Sequence, residues 1–212
     1  VSAIAFSPTG DALATAGEDR VVRVWDAASH QNRAELVSHT DRVPALAWTP
    51  DGQLLVSAGW DTSARVWDPA RSADPLILLN SHADQVVAVA VSPARGTVAT
   101  ADSDHDIHLW ADPAGGKSER VLRGHADEVR CLAFSPDGTR LASAGADRVI
   151  HLWDVATGQL VAGPNANGRH VVSAGVAGGK LVLASSGGPA AKLYDVAAGA
   201  ELPPSDDGPA YT

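Results

Sequence analysis

The chain has 212 residues and a formal net charge of −9, with 25 acidic residues against 16 lysines and arginines. Nucleic-acid binding surfaces need clustered basic residues, so this balance argues against a nucleic-acid partner. No run of 18 or more apolar residues that could span a bilayer is present, which argues against a membrane protein. Cys131 is the one cysteine; an internal disulfide is therefore excluded, and a cytoplasmic location is expected.

Aromatic residues recur along the chain at a nearly constant interval of about 42 residues, the interval of a blade-type repeat. They are Trp25, Trp67, Trp110, Trp153 and Tyr194. We therefore predict a single domain over 1–212 that is built from consecutive units. The predicted units cover approximately 1–38, 39–81, 82–124, 125–164 and 165–205, and 206–212 is expected to be a tail or linker.

Each unit has the pattern of four short strands joined by turns. In the second unit the predicted strands are Val43–Trp48, Leu54–Gly59, Ala64–Trp67 and Leu76–Leu79. The segment 49–52, Thr-Pro-Asp-Gly, is a turn signal, because proline presets φ and glycine accepts a positive φ. No segment has the apolar period of 3.6 residues that a helix needs. The pattern predicts an all-β protein.

The predicted first strands carry small residues at matching positions. These are Ala3, Ala45, Ala88 and Cys131, followed by Ala5, Ala47, Ala90 and Ala133. Small side chains let the first strands of successive units converge around an axis. The fold class predicted is a β-propeller made of four-stranded antiparallel blades, with five blades present.

A polar set precedes three of the tryptophans with constant spacing: a histidine, a hydroxyl residue, an aspartate and the tryptophan. The sets are His39, Ser57, Asp61 and Trp67; His82, Thr100, Asp104 and Trp110; and His125, Ser143, Asp147 and Trp153. The first unit supplies Thr15, Asp19 and Trp25. Its histidine position would fall before residue 1, so we expect the chain to start within a motif and its natural start to lie upstream.

The spacing suggests a geometry for these sets. In a hairpin that turns at Thr62, Ser57 and Trp67 face each other, so the indole N–H can reach the hydroxyl. The hydroxyl can then donate to His39, whose other ring nitrogen can donate to Asp61. Such a chain of bonds would tie the strands together, so each set is interpreted as a structural tetrad.

Serine, histidine and aspartate are also the components of a hydrolase triad. A catalytic set occurs once per active site, whereas this set recurs in three units and in part in a fourth. Repetition favours the structural interpretation, and we predict that the chain has no catalytic residues and is not an enzyme. A hydrolase built on a propeller remains the alternative.

The chain resembles the WD-repeat (WD-40) family over nearly its whole length. The segments that carry the resemblance are Gly124-His125, Phe134-Ser135-Pro136-Asp137-Gly138, Leu141-Ala142-Ser143 and Leu152-Trp153-Asp154. The resemblance implies the hydrogen-bonded tetrad, and it implies a docking surface for a protein or peptide partner. The expected function is a non-catalytic interaction scaffold, such as the sensor or docking module of a larger signalling protein; the alanine-rich composition is compatible with a bacterial origin.

Propellers of this family usually carry seven blades, which at about 40 to 45 residues each need about 300 residues. Two blades are therefore expected to be missing, and we expect them in the same full-length chain. In the alternative, another chain supplies them and this protein is a structural assembly subunit. The fifth unit has Asn167, Pro189 and Tyr194 at tetrad positions but keeps Ser185, which is typical of a terminal repeat.

Residues that flank the tetrads are expected to project onto one face and to contact the partner. They are Trp60, Arg42, Arg130, Pro44, Gln85, Val87, Ser103, Glu128, Glu18 and His170. Trp60 stands out because the equivalent positions in other units are not aromatic, and tryptophan and arginine are enriched at binding hot spots. We hypothesise that Trp60, Arg42 and Arg130 anchor the partner. The alternative is that Trp60 packs on a neighbouring loop.

The segment 104–108, Asp-His-Asp-Ile-His, has the composition of a metal site. Asp104 is assigned to a tetrad, however, and His108 takes the position of Arg23 and Arg65, so structural roles are favoured. Cys131 replaces the alanine of other units and is interpreted as a small buried residue. We expect no metal and no cofactor.

Overall fold

The computed structural model describes residues 1–71, 73–94, 96–111 and 120–161 with their side chains. For 162, 170–177, 180–186, 192–195 and 200–201 it describes the backbone alone. Within these residues, no helix has the length and apolar character needed to cross a membrane.

The first four sheets each have four antiparallel strands, and the strands follow one another in chain order across the sheet. The first sheet contains β1 (Ala3–Phe6), β2 (Ala12–Ala16), β3 (Val21–Asp26) and β4 (Asn32–Val37). The second contains β5 (Ala45–Trp48), β6 (Leu55–Ala58), β7 (Ala64–Trp67) and β8 (Ile77–Leu79). The third contains β9 (Val86–Val91), β10 (Val98–Asp102), β11 (Ile107–Trp110) and β12 (Arg120–Leu122). The fourth contains β13 (Val129–Phe134), β14 (Arg140–Gly145), β15 (Ile150–Asp154) and β16 (Leu160–Ala162).

A further four-stranded antiparallel sheet follows in the backbone. Its strands are β17 (His170–Ala177), β18 (Lys180–Ser186), β19 (Lys192–Asp195) and β20 (Ala200–Glu201). The positions of Asn167 and Pro189, and the segment 206–212, lie outside the described residues. The first four sheets are of the kind that forms propeller blades, and the first strands of successive sheets are neighbours, as expected from their small residues.

The register of the second and third strands differs from the prediction. Ser57 pairs with Arg65, and Trp67 pairs with Leu55. The hairpin is therefore centred on Asp61 and not on Thr62, so Ser57 faces Arg65 instead of Trp67. Trp67 reaches Ser57 along the diagonal of the ladder, a distance that a large aromatic side chain can cover.

Successive sheets pack face to face, and the two faces differ in chemistry. One face of the first sheet presents Ala14, Val22 and Val24, and it packs against Leu55 and Trp67 of the second sheet. A small-residue face also packs against Val98 and Trp110 where the second sheet meets the third, and against Leu141 and Trp153 where the third meets the fourth. At each interface an indole fills the space above the small residues and thereby excludes water from between the two sheets.

Among the residues that the structure describes with side chains, none covers the tryptophan-bearing face of the first sheet in this way. Ile4 is 64% exposed and Phe6 is 65% exposed, whereas Phe134, at the position of Phe6 in the fourth sheet, is 3% exposed. A cavity of about 350 Å³ opens on this face beside Phe6 and Trp25.

Candidate functional site

The second sheet contains a continuous chain of hydrogen bonds through four side chains. Trp67 Nε1 donates to Ser57 Oγ at 2.8 Å, and this oxygen lies 2.7 Å from His39 Nε2. His39 Nδ1 lies 2.9 Å from Asp61 Oδ2. Because the serine accepts from the indole, its own hydrogen can go to His39 Nε2, which leaves Nδ1 to carry the ring proton towards Asp61. The network ties the segment before β5 to β6, β7 and the turn between them.

Burial holds the side chains of this network in place, and burial and hydrogen bonding fix their protonation states. Ser57 and Trp67 are completely buried. Burial lowers the pKa of His39 against the opposing pull of Asp61. Burial alone would raise the pKa of Asp61, but hydrogen bonds from His39 and Ser63 hold it well below its usual range. At neutral pH the imidazole is therefore neutral and the carboxylate is ionised.

The fourth sheet repeats the arrangement, and the first sheet has part of it. Trp153 Nε1 lies 2.7 Å from Ser143 Oγ, which lies 2.7 Å from His125 Nε2, and His125 Nδ1 lies 2.8 Å from Asp147 Oδ2. In the first sheet Trp25 Nε1 donates to Thr15 Oγ1 at 2.9 Å. In the same sheet, Asp19 forms an ion pair with Arg23.

In the third sheet one assignment from the sequence is wrong. Trp110 Nε1 donates to Thr100 Oγ1 at 2.8 Å, and this oxygen lies 2.8 Å from His82 Nε2, as expected. The carboxylate on His82 Nδ1, however, belongs to Asp102, at 2.9 Å. Asp104 is an exposed turn residue.

The second sheet shows why Asp102 displaces Asp104. The residue equivalent to Asp102 is Gly59, and a Cβ placed there would lie 2.6 Å from Asp61 Oδ1 and would also collide with the His39 ring. A side chain at this position necessarily occupies the place of the tetrad aspartate. The sequence signal was available, since the third unit has Ala-Asp at 101–102 where the first, second and fourth units have Ala-Gly.

The tetrads do not have the geometry of a hydrolase triad. A nucleophilic serine must reach its substrate, but Ser57, Thr100 and Ser143 have no exposed surface. Each hydroxyl oxygen also accepts a hydrogen bond from an indole, which holds it inside the sheet. These residues are suited to fastening strands and not to acyl transfer.

The residues predicted to contact a partner lie at the end of the sheets where the second strand turns into the third. Backbone hydrogen bonds of 2.9 Å join them in pairs across the turn and the preceding connector. The pairs are Trp60 with Arg42, Ser103 with Gln85, and Ala146 with Glu128. The structure thus places equivalent residues of three sheets in one repeated setting.

The Trp60 pair also makes side-chain contacts. The Arg42 guanidinium lies 4.9 Å from the centre of the Trp60 ring, within cation–π range. Arg42 Nε donates to Ser2 Oγ at 3.1 Å, and its Nη1 lies 3.8 Å from Glu18. Trp60 therefore packs on the connector before β5, as the alternative interpretation expected, but it keeps part of its surface exposed.

The remaining predicted residues are more dispersed. Arg130 is exposed and pairs with Glu128 at 3.0 Å in the fourth sheet. Among the described residues, Arg42 makes a cation–π contact with Trp60 and Arg130 does not. Pro44 and Val87 are half-buried. The side chain of His170 lies outside the described residues.

Comparison with protein families agrees with the repeated geometry. The model for WD domain, G-beta repeat (WD40) matches residues 1–26, 31–68, 73–111 and 116–154. The four matches cover more than half of the chain. The first match contains β1 to β3, and each later match contains the fourth strand of one sheet followed by the first three strands of the next sheet. A search of curated proteins found no match. The chain therefore belongs to the WD40 family.

Proposed function

We propose that the chain is a non-catalytic docking scaffold for a protein or peptide, acting in the cytoplasm as a module of a larger signalling protein. WD40 repeats generally mediate interactions between proteins. The observation that carries the proposal is the contrast between the tetrads and the residues above them. The tetrads repeat, whereas the paired positions at the same end of the sheets differ in size and charge.

Those differences are what a selective surface needs. In the second sheet the pair is Trp60 with Arg42, an aromatic ring under a guanidinium. In the third sheet the equivalent pair is Ser103 with Gln85, and in the fourth it is Ala146 with Glu128. Because the underlying tetrads hold the backbone alike in each sheet, a partner would distinguish the sheets by these side chains. Trp60 and Arg42 supply the types most often found at hot spots.

The experiment is a selection of peptides from a displayed random library on the immobilised chain, followed by affinity measurement of the best peptide in solution. Trp60→Ala should weaken binding by about 2 kcal/mol, the size of a hot-spot residue. The matched control is Arg33→Ala, at the opposite end of the first sheet, where Arg33 pairs with Asp11 and Asp26. Equal binding by the Trp60 variant, with the fold intact, would reject this surface.

We further propose that the fifth sheet is a fifth blade and that the complete ring has seven blades from one polypeptide. Two observations support this. The backbone register of Leu183 with Tyr194 repeats that of Leu55 with Trp67. The exposed Ile4 and Phe6 lie on the kind of face that a preceding sheet covers elsewhere in the chain. In the complete protein, this face should be protected from solvent, which hydrogen exchange at β1 measures.

A further inference from the structure

The third sheet differs from the second at two positions that meet at one carboxylate. Asp102 stands in place of Gly59, and His108 stands in place of Arg65. His108 Nε2 lies 3.6 Å from Asp102 Oδ2, and His82 Nδ1 lies 2.9 Å from the same oxygen. The two imidazole rings are 4.2 Å apart between centres. Two potential nitrogen ligands and one oxygen ligand therefore converge.

The group is buried and incompletely satisfied. His82, Asp102 and His108 are 8%, 1% and 6% exposed. His108 Nδ1 is buried and has no hydrogen-bond partner within the described part of the chain. Asp61 of the second sheet accepts a backbone N–H from Thr40, and a matching bond from the segment after His82 is not present for Asp102 among the described residues. Asp102 Oδ1 accepts the backbone N–H of Asp106 at 3.2 Å. The remaining acceptor capacity lies at Oδ2, the oxygen nearest to both imidazoles.

The charge balance of the group also differs from that of the second sheet. There, Arg65 lies 3.1 Å from Asp61 and neutralises it. In the described residues, no lysine or arginine lies within ion-pair distance of Asp102. A buried carboxylate without a cation is costly.

We propose that His82, Asp102 and His108 bind a divalent transition-metal ion, with Zn²⁺ as the probe. Their ligand atoms all lie within 4.8 Å of one another. Tetrahedral zinc with bonds of about 2.0 Å places its ligands about 3.3 Å apart, and the two distances to Asp102 Oδ2 bracket that value. Imidazole and carboxylate are ligands that zinc accepts, and water can take the fourth position.

Zinc binding is compatible with the tetrad. Metal at His82 Nδ1 requires the ring proton to move to Nε2, which lies 2.8 Å from Thr100 Oγ1. Thr100 already accepts the indole N–H of Trp110, and a hydroxyl oxygen can accept two hydrogen bonds. The tie from His82 to Thr100 is kept, and the metal replaces the hydrogen bond to Asp102. This site is independent of the proposed docking function.

The fourth sheet provides a natural control. His151 occupies the position of His108 and lies 4.3 Å from the His125 ring, but Gly145 is kept and the acid is Asp147 in the turn. Among the described residues, the trio in the third sheet is the one group whose ligand atoms are close enough for a shared ion. A histidine at this position is therefore not sufficient to form a metal site, and the aspartate at position 102 is needed as well.

The test uses the untagged 212-residue chain, freed of metal with a chelator and equilibrated with ZnCl₂ by dialysis. We expect one tightly bound Zn²⁺ per chain and a rise in the midpoint of thermal unfolding, since an ion that binds the native state stabilises it. Co²⁺ should give visible absorption of a four-coordinate site, and NMR should show that His82 Nδ1 loses its proton.

His108→Phe keeps the ring against Trp110 but removes the ligand nitrogens, and His151→Phe is its matched control. His108→Phe should weaken zinc binding by about 100-fold or more. Loss of a residue that only hydrogen-bonds a metal ligand weakens metal binding by up to about 100-fold, so loss of a ligand should weaken it at least as much. His151→Phe should bind like the original chain. His108→Arg, which copies the pair of Arg65 with Asp61, should fold without binding zinc. Absence of stoichiometric binding, or equal binding by the His108 variants through surface histidines, would overturn the proposal.

Discussion

At the residue scale, the shared hydroxyl is the centre of each tetrad. Ser57 Oγ satisfies both the Trp67 indole and the His39 ring, and all of these groups are buried. One small side chain therefore supports two larger ones. The same dependence explains why threonine can replace serine in the third sheet, since Thr100 presents the same oxygen.

Ser57→Ala should lower the free energy of unfolding by about 2 to 4 kcal/mol, because it leaves a buried donor and a buried acceptor without partners. Urea unfolding followed by tryptophan fluorescence measures the change. Ser81→Ala removes an exposed hydroxyl and serves as the control, with an expected change below about 0.5 kcal/mol. Similar losses for the two variants would mean that the network contributes little.

Stability should decrease as the pH falls from about 7.5 to about 5.5 in the presence of a chelator. Burial lowers the pKa of His39 and of His82 below the usual value of 6.5. The unfolded chain therefore takes up protons that the folded chain resists, so stability is full above pH 6.5 and is lost as the pH falls towards the folded pKa. Urea midpoints across the range measure this. His39→Gln should make the dependence shallower; an unchanged slope would contradict the assignment.

At the element scale, the turn between the second and third strands has a repeated backbone conformation. Its residues with positive φ are Arg20, Thr62, His105 and Arg148, with φ between 63° and 72°. A non-glycine residue in this left-handed region of φ costs about 1 to 2 kcal/mol of conformational free energy, and a β-branched residue is the least suited to it. The tight turn keeps the strands close enough for the indole to reach the hydroxyl, so the second sheet tolerates strain at Thr62.

Thr62→Gly should raise the free energy of unfolding by about 1 kcal/mol, because glycine removes the strain and the exposed threonine side chain contributes little packing. Thr40→Gly is the control at an exposed position without positive φ, and it should lower stability by about 0.4 to 1 kcal/mol. Opposite signs for the two variants in urea unfolding support the interpretation. A loss at both positions would show that Thr62 is not strained.

At the scale of the whole molecule, stability comes from stacking unlike faces of neighbouring sheets. The small residues of one sheet pack against the tryptophan of the next sheet and against the leucine or valine beside it. Cross-sheet backbone bonds add to this, since Val43 N donates to Gly17 O at 3.1 Å and Val86 N donates to Gly59 O at 3.0 Å. The contribution of an apolar side chain to the free energy of unfolding therefore depends on whether a neighbouring sheet packs against it.

Phe6 and Phe134 test this dependence, because they end the first strands of equivalent sheets. Phe134→Ala should lower the free energy of unfolding by about 3 to 5 kcal/mol, as for a buried phenylalanine. Phe6→Ala should cost less than about 1 kcal/mol, because most of the ring is exposed. In a longer protein whose further blade covers this face, the cost at Phe6 should approach that at Phe134. Equal costs in the present chain would show that Phe6 is covered.

The periodic part of the fold was predictable from the sequence. In the second unit, the predicted strand Ala64–Trp67 matches β7, and the other three strands agree within two residues at each end. Alternating burial and turn residues are local signals, so they can be read without neighbours. The hairpin register was not predictable from spacing, because one residue more or less in the turn shifts every pair.

The amino-acid sequence by itself determined the repeat, the strand positions and the identity of most tetrad residues, since these follow from constant spacing along the chain. Tertiary structure decided which carboxylate reaches His82, because the aspartate at position 102 gains its meaning only from the space beside a histidine 20 residues away. It also decided which tryptophan face is covered and that Trp60 lies under Arg42. These outcomes depend on contacts between separate segments, and a short-range pattern in the sequence does not encode such distances.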